Sequence, residues 1–547
     1  MLNPEQSTAH ANPAKQAAYD VVVVGGGLAG LYSIYRLRQL GMTVRVYEAG
    51  SGVGGTWFWN RYPGARCDVE SLQYSYSFSE ELQREWEWPE RYPTQPEILK
   101  YINHVAERFD LLRDVQLNTR VLSAEYDPAA NRWTLATDQG DVVSAPYCIM
   151  ATGNLSTPRV PDIPGVQSFA GKWYHTGLWP HEGVDFTGKR VGAIGTGSSG
   201  IQMIPVIARQ AEHLHVFQRH PNFSLPAFNR PMDKAREQDF KARYPELRAE
   251  ARDSFGGLLG WPPATKSALE ATPEERQRVY EERWADGTVA AILTAYTDIL
   301  TNAEANETAA EFVRNKIREK VKDPKVAELL CPKDHPIGSK RLCLDSGYYE
   351  TYNRDNVTLV DVNSTPIQEI TPKGVRTAEA EYTLDALVFA TGFDAMTGAM
   401  REIDIRVKGG ETLAEHWDGG PQTYLGIMVA GFPNMFMITG PGSPGVKAQM
   451  INAIEQHMDW IADYLETAQA KGHTRIEATR EAELNWGAHV TEVANRTLFV
   501  HANSWYLGAN VPGKPRVFMP YVGGFNVYSK KCAEVAANGY EGFHITT

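Results

Sequence analysis

Apolar and polar positions along the chain follow two rhythms. Short apolar runs, rich in Val and bounded by glycine or turn residues, read as parallel strands buried on both faces. They are Tyr19–Val24, Thr43–Tyr47, Tyr147–Ala151, Lys189–Ile194, Leu214–Phe217 and Ala386–Phe389. Stretches of helical period stand between them: Leu31–Leu40 (ended by Gly41), Pro96–Phe109, Ile201–Ala211 and Gln449–Leu465. Val115–Val121 and Trp133–Thr137 read as further strands, with a turn around Asn131. From 227 to 336 the pattern changes to charged, helical and poor in Val-rich runs. There Thr272-Pro273-Glu274-Glu275 is a helix start with an N-cap, a proline at N1 and a capping-box glutamate. Strands alternating with helices predict an α/β fold. It is read as two doubly wound, Rossmann-like dinucleotide-binding domains, with a helical insertion in the second.

Two of the strands run straight into glycine triplets, Gly25-x-Gly27-x-x-Gly30 and Gly195-x-Gly197-x-x-Gly200. In such a unit the first glycine permits the tight turn, the second lets backbone approach a pyrophosphate, and the third lets helix pack on strand. The helix N-terminus then faces the phosphates. In the first unit Glu48 ends the next strand, where a carboxylate accepts ribose hydroxyls. In the second, the equivalent strand ends in Gln218-Arg219-His220, with no acid. An arginine there accommodates a 2′-phosphate and matches it with a planar fork, so the second nucleotide is read as NADPH. Ala-Thr-Gly occurs twice after an apolar strand, at 151–153 and 390–392, where a chain leaving a sheet passes close to a cofactor.

The chain has 547 residues, enough for two or three domains. Its net charge of −12 argues against a nucleic-acid partner. Five scattered cysteines, without metal-site or redox-pair spacing, suit a reduced compartment and exclude a dithiol reductase. Residues 1–18 are polar, without the apolar stretch of a signal peptide, and read as a flexible tail. No run approaches the ~18 apolar residues of a membrane span. A cytoplasmic protein, monomeric or a small homo-oligomer, without nucleic-acid or membrane partners, is expected.

Phe169-x-Gly171-x-x-x-His175-x-x-x-Trp179-Pro180 lies between the two triplets, and Gly55-x-Trp57, Tyr62-Pro63-Gly64 and Asp68 follow the first. Together they resemble the fingerprints of type I Baeyer–Villiger monooxygenases, over nearly the whole chain past residue 18. The resemblance is closest to members acting on aryl, steroid and large cyclic ketones. It implies FAD and NADPH as cofactors and the reaction ketone + NADPH + H⁺ + O₂ to ester or lactone + NADP⁺ + H₂O, through an anionic flavin C4a-peroxide. It implies that Gly25, Gly27, Leu28, Gly30, Glu48, Gly55, Thr56, Trp57, Phe58, Trp59, Asp68, Tyr74, Val121 and Met450 hold FAD. Arg66, Cys67, Thr196, Gly197, Ser198, Ser199, Gly200, Ile201, Gln202, Arg219, His220, Lys340, Arg341 and Trp505 would hold NADP. Lys340 carries the NADP phosphate. The resemblance likewise implies that Arg341 is the active-site cation, with Asp68 as its partner behind the flavin. His175 has a supporting role in coupling the domains. Phe436, Gly445, Val446, Lys447 and Gln449 lie around a loop that shapes the ketone pocket, and residues 504–514 form a lid over the nicotinamide.

The implied division is FAD domain 19–153 and 390–547, linker and NADPH domain 154–226 and 337–389, and insertion 227–336 without chemistry of its own. Two rival readings share the glycine units. One is a flavin N- or S-oxygenating monooxygenase, whose protonated oxidant has less need of an arginine. The other is a flavin redox-binding protein without turnover.

Overall fold

The computed structural model describes residues 16–547. Its centre is a pair of five-stranded, wholly parallel sheets. The first has the order Met435–Met437, Tyr147–Met150, Val21–Val24, Val44–Tyr47, Val115–Gln116. Alternate side chains of Val21–Val24 enter different cores. Val21 and Val23 join the helices Leu28–Gln39 and Met450–Lys471, while Val22 and Val24 face the other way. This period of two is what a strand buried on both faces requires. Each such valine stabilises the fold by about 1.5–3 kcal/mol relative to exposure.

The second sheet has the order Val357–Asp361, His213–Gln218, Arg190–Ile194, Ala386–Phe389, Lys172–His175. Its faces also divide: Val191, Ala193, Ala386 and Val388 pack with helices, and Ile194, Phe217, Leu387 and Phe389 pack the opposite way. The layer opposite the helices is β-structure in both halves. A mixed sheet (Gln16–Ala18, Val142–Ala145, Arg132–Thr137, Val121–Asp127, Asp404–Val407) covers the first. An antiparallel meander (Ile367–Thr371, Gly374–Thr377, Glu381–Thr383) covers the second.

Several expectations are corrected. Of the tail read at 1–18, Gln16–Ala18 is an edge strand paired with Val142–Ser144, and residues 1–15 lie outside the described residues. The strand expected over Val115–Val121 is a two-residue strand, Val115–Gln116, and the first residue of another, Val121–Asp127. Asn118 takes φ +52° between them, and the N–H groups of Asn118 and Thr119 donate to the Gly50 and Glu48 carbonyls, so the chain leaves one sheet for the next. At Thr272 the hydroxyl accepts from the Glu275 N–H, but the Glu275 carboxylate binds Lys266 at 2.6 Å and does not complete the capping box. The helical stretch 227–336 is not one packing unit. Phe240, Tyr244 and Leu247 join the first core, and Tyr280, Phe312 and Val313 the second. Within the motif at 169–180, Lys172–His175 is the edge strand of the second sheet.

Candidate active site

The two glycine turns are built alike. Gly25 and Gly195 have φ of +109° and +110°, and a Cβ at either would meet the carbonyl oxygen of Ala151 or Ala390 at 2.4 Å. Those alanines open the two Ala-Thr-Gly segments, so the repeat has a physical cause: each crossing seals the first glycine of one triplet. A Cβ at Gly30 or Gly200 would strike the carbonyl oxygen of its own first glycine, at 2.0 and 2.3 Å. The middle glycines Gly27 and Gly197 are helix N-caps with nearly equal dihedrals, φ −78°, ψ −166° and φ −82°, ψ −164°. No side chain caps either helix, which leaves the N-terminal N–H groups free for phosphate oxygens. Gly197 has open space where a Cβ would be, and Gly27 faces Gly55 of the aromatic loop. Both turns fit a bound dinucleotide.

The two units diverge at the ribose. Glu48 is buried, and its carboxylate accepts from the Gly26 and Gly50 N–H groups at 2.6 and 2.7 Å, which fixes it beside the first turn. Arg219 and His220 are exposed at the second strand's end, and Thr196 Oγ1 donates to the His220 carbonyl at 3.0 Å. Asp334 lies 3.2 Å from His220 and 3.5 Å from Lys340, which holds the two side chains at the end of the second strand; burial lowers the His220 pKa. Burial lowers the Lys340 ammonium pKa, and Asp334 works against that. This set fits a 2′-phosphate. Leu28 and Ile201, each in the first turn of its helix, are buried.

The halves meet at Asp68 and Arg341. Arg341 Nη2 donates to Asp68 Oδ1 at 2.6 Å; the Asp68 side chain is 13% exposed and that of Arg341 is 37% exposed. The Asp68 charge raises the guanidinium pKa still further, so Arg341 is a permanent cation. Around them, Trp57 Nε1 donates to the Tyr74 hydroxyl at 3.0 Å, and the Cys343 thiol reaches Ser198 Oγ at 3.0 Å. Cys67 is buried beside Asp68, and burial raises its thiol pKa. Tyr62 donates to Gln202 Oε1 at 2.7 Å, Gln202 Nε2 donates to the Arg66 carbonyl at 2.9 Å, and a Cβ at Gly64 would meet the Gln202 carbonyl oxygen at 2.3 Å. The Tyr-Pro-Gly signature is therefore a seam between the first loop and the second helix. Ser199 and Gly200 lie on that helix, Ser198–Gln210. Met450 starts the helix Met450–Lys471 and packs on two cores.

Not every expected residue joins this site. Phe58 is buried under Gly50 and Gly52, where a Cβ would meet its ring at 2.8 and 2.7 Å; it stacks edge-on with Trp59 and supports the loop from beneath. Thr56 is exposed in the same single turn, Thr56–Trp59, whereas half-buried Trp57 belongs to the site through its bond to Tyr74. Val121 is buried in the cluster with Val24 and Tyr47. Phe436 is fully buried between Tyr147 and Tyr464, so it is core and not pocket.

His175 is a structural residue. Nδ1 accepts from the Gly177 N–H at 3.0 Å, which leaves the proton on Nε2, 3.2 Å from the Arg159 carbonyl and 3.3 Å from Thr391 Oγ1. It thus joins the chain after the first Ala-Thr-Gly to the second, and burial lowers its pKa. Trp505 is half-buried against Tyr506, with ring centres 4.3 Å apart. Its loop is fastened to the second crossing: Asn510 donates to the Phe393 carbonyl at 2.7 Å, and Lys514 binds Asp394 and the Ala395 carbonyl.

Two asparagines were missed. Asn222 Nδ2 donates to the Arg341 carbonyl at 2.9 Å. Asn306, in the helix Ala303–Lys320, is buried; its amide donates to Ile299 and Ile337 carbonyls and accepts from the Ile337 N–H. The insertion therefore holds the loop that carries Lys340 and Arg341. Asn306 had a signal: with Ala309, Ala310 and Val313 it lies on the apolar face of its helix, where a polar residue needs a partner.

Residues 18–235 match the family model for flavin-binding monooxygenase-like proteins. A Baeyer–Villiger monooxygenase of Pseudooceanicola batsensis is 44% identical over 527 residues, 96% of each chain. A phenazine N-monooxygenase of Lysobacter antibioticus is 42% identical, again over 96% of each. The structure of an oxidised steroid monooxygenase bound to NADP superposes with a TM-score of 0.92 at 56% identity, covering 97% of this chain and 99% of that one. Two glycine turns of one design, joined by an Arg–Asp pair and matched from end to end by these relatives, assign the chain to the Baeyer–Villiger branch of the flavin-binding monooxygenases.

Proposed function

We propose that the protein inserts one atom of O₂ into a ketone, giving an ester or lactone, with FAD and NADPH as cofactors. The observation that carries this reading is the Arg341–Asp68 pair, set where the two glycine units meet. Residues 19–153 and 390–547 form the FAD side, with Gly25, Gly27, Gly30 and Glu48 at its phosphates and ribose. Residues 154–226 and 337–389 form the NADPH side, with the 2′-phosphate on Arg219, His220 and Lys340. Bound FAD supplies the oxygen chemistry and NADPH its electrons.

The chain's own task is electrostatic. A ketone under attack gathers negative charge on its oxygen, and a fixed cation whose geometry costs nothing at the moment of reaction stabilises that charge. Arg341 suits this because it does not lose its proton, and Asp68 fixes its orientation with one arm of the fork while the rest stays available. Trp57, Tyr74 and Tyr506 stand beside the pair, and their low-polarity surface strengthens the field of the part-exposed guanidinium.

The relative named for N-oxygenation makes a heteroatom substrate the rival reading. Mass spectrometry of products from FAD-loaded enzyme with NADPH, offered a series of cyclic ketones, a thioether and an aromatic amine, decides. Ester or lactone carrying one atom of ¹⁸O from ¹⁸O₂ is expected. Oxidation of the thioether or amine with every ketone untouched contradicts the proposal.

A further inference from the structure

Lys447 ends the turn Gly445–Lys447, just ahead of the helix Met450–Lys471. Its ammonium nitrogen stands 3.9 Å from the centre of the Phe499 ring and 4.7 Å from that of Tyr506. Arg341 is its charged neighbour, and Arg341 also acts on the Tyr506 phenol. Lys447, Tyr506 and the reaction cation thus share one environment. Among the described residues no carboxylate pairs with Lys447 and no oxygen accepts from its three N–H donors, in contrast to Arg341, which has Asp68. Aromatic faces are a modest substitute for a counter-ion. Burial, and after it the Arg341 charge, lowers the Lys447 pKa to about 7. A second cation beside Arg341 costs stability unless an anion joins it.

We infer that Lys447 is a specificity-determining residue that takes a carboxylate carried by the ketone whose carbonyl reacts at Arg341. This rests on the ketone-oxygenating reading above and names its substrate class: a bulky or cyclic ketone bearing an acidic side arm. The acid supplies the counter-charge that Lys447 lacks.

The test compares a cycloalkanone bearing a carboxymethyl group with its methyl ester, on the FAD-loaded enzyme. Wild type is expected to favour the acid. Lys447→Met, close in volume, should raise KM for the acid about 10- to 150-fold, the range of one charge-assisted contact, and KM for the ester by a clearly smaller factor. Lys447→Arg should keep the preference, and Lys447→Gln repeats the Met arm should Met disturb folding. Calorimetry should show the acid binding to wild type more tightly than to Lys447→Met, with the ester bound alike by both. Equal losses for acid and ester, or wild-type acid binding no tighter than that of Lys447→Met, overturn the inference. Wild type that oxygenated the ester as well as the acid would sink the inference alone. Wild type that oxygenated no ketone would sink the reaction assignment, and the calorimetry would still decide on Lys447.

Discussion

Arg219 and Glu48 occupy the same place in two otherwise matching units, so they isolate what one residue decides. Arg219→Ala is expected to raise KM for NADPH about 10- to 150-fold with little change for NADH. Steady-state kinetics with both cofactors checks this, and equal effects would take Arg219 out of the 2′-phosphate site. Residues of this kind were legible because their rules are local: a triplet, a strand end and an acid or its absence lie within one βαβ unit. The Arg341–Asp68 contact spans 273 positions and came from resemblance, since spacing alone gives no reason to pair them. Phe58 and Phe436 were misplaced because an aromatic next to a cofactor loop has the same composition whether it faces the ligand or the core.

At the scale of elements, the parallel strands were readable and their covering layers were not. A valine run shows that both faces are buried without saying what buries them. The insertion was read as inert because its pattern is that of an ordinary charged, helical segment. Asn306 corrects this by bonding to both backbone groups of Ile337, three residues ahead of Lys340. Asn306→Ala leaves buried backbone groups unpaired, at about 1–3 kcal/mol each. We predict lower thermal stability together with weaker NADPH binding and a larger share of NADPH lost as hydrogen peroxide, at unchanged FAD content. Calorimetry combined with peroxide and product yields checks this. A fall in stability with wild-type coupling would confine Asn306 to the scaffold.

The whole molecule is two copies of one plan, a parallel sheet with helices on one face and β-structure on the other, held together across the place where chemistry is proposed. Tyr62 and Gln202 form the seam, and His175 bridges the two crossings. Two glycine triplets made two nucleotide sites legible; how the halves face each other was not, because that is set by contacts between segments far apart in sequence. On the proposed reading, the Arg341 charge at this junction makes ketone oxygenation possible. Arg341→Ala should retain FAD yet lose ester formation by at least about 10²–10³, the cost of one pre-organised electrostatic contact. Arg341→Lys should restore little, because an ammonium lacks the fork that holds Asp68 and a reacting oxygen together. The most direct measurement is the yield of ester per NADPH consumed by FAD-loaded Arg341→Ala. Essentially none is expected, with the NADPH that is oxidised recovered as hydrogen peroxide; ester at a yield and rate near those of wild type would remove Arg341 from the reaction.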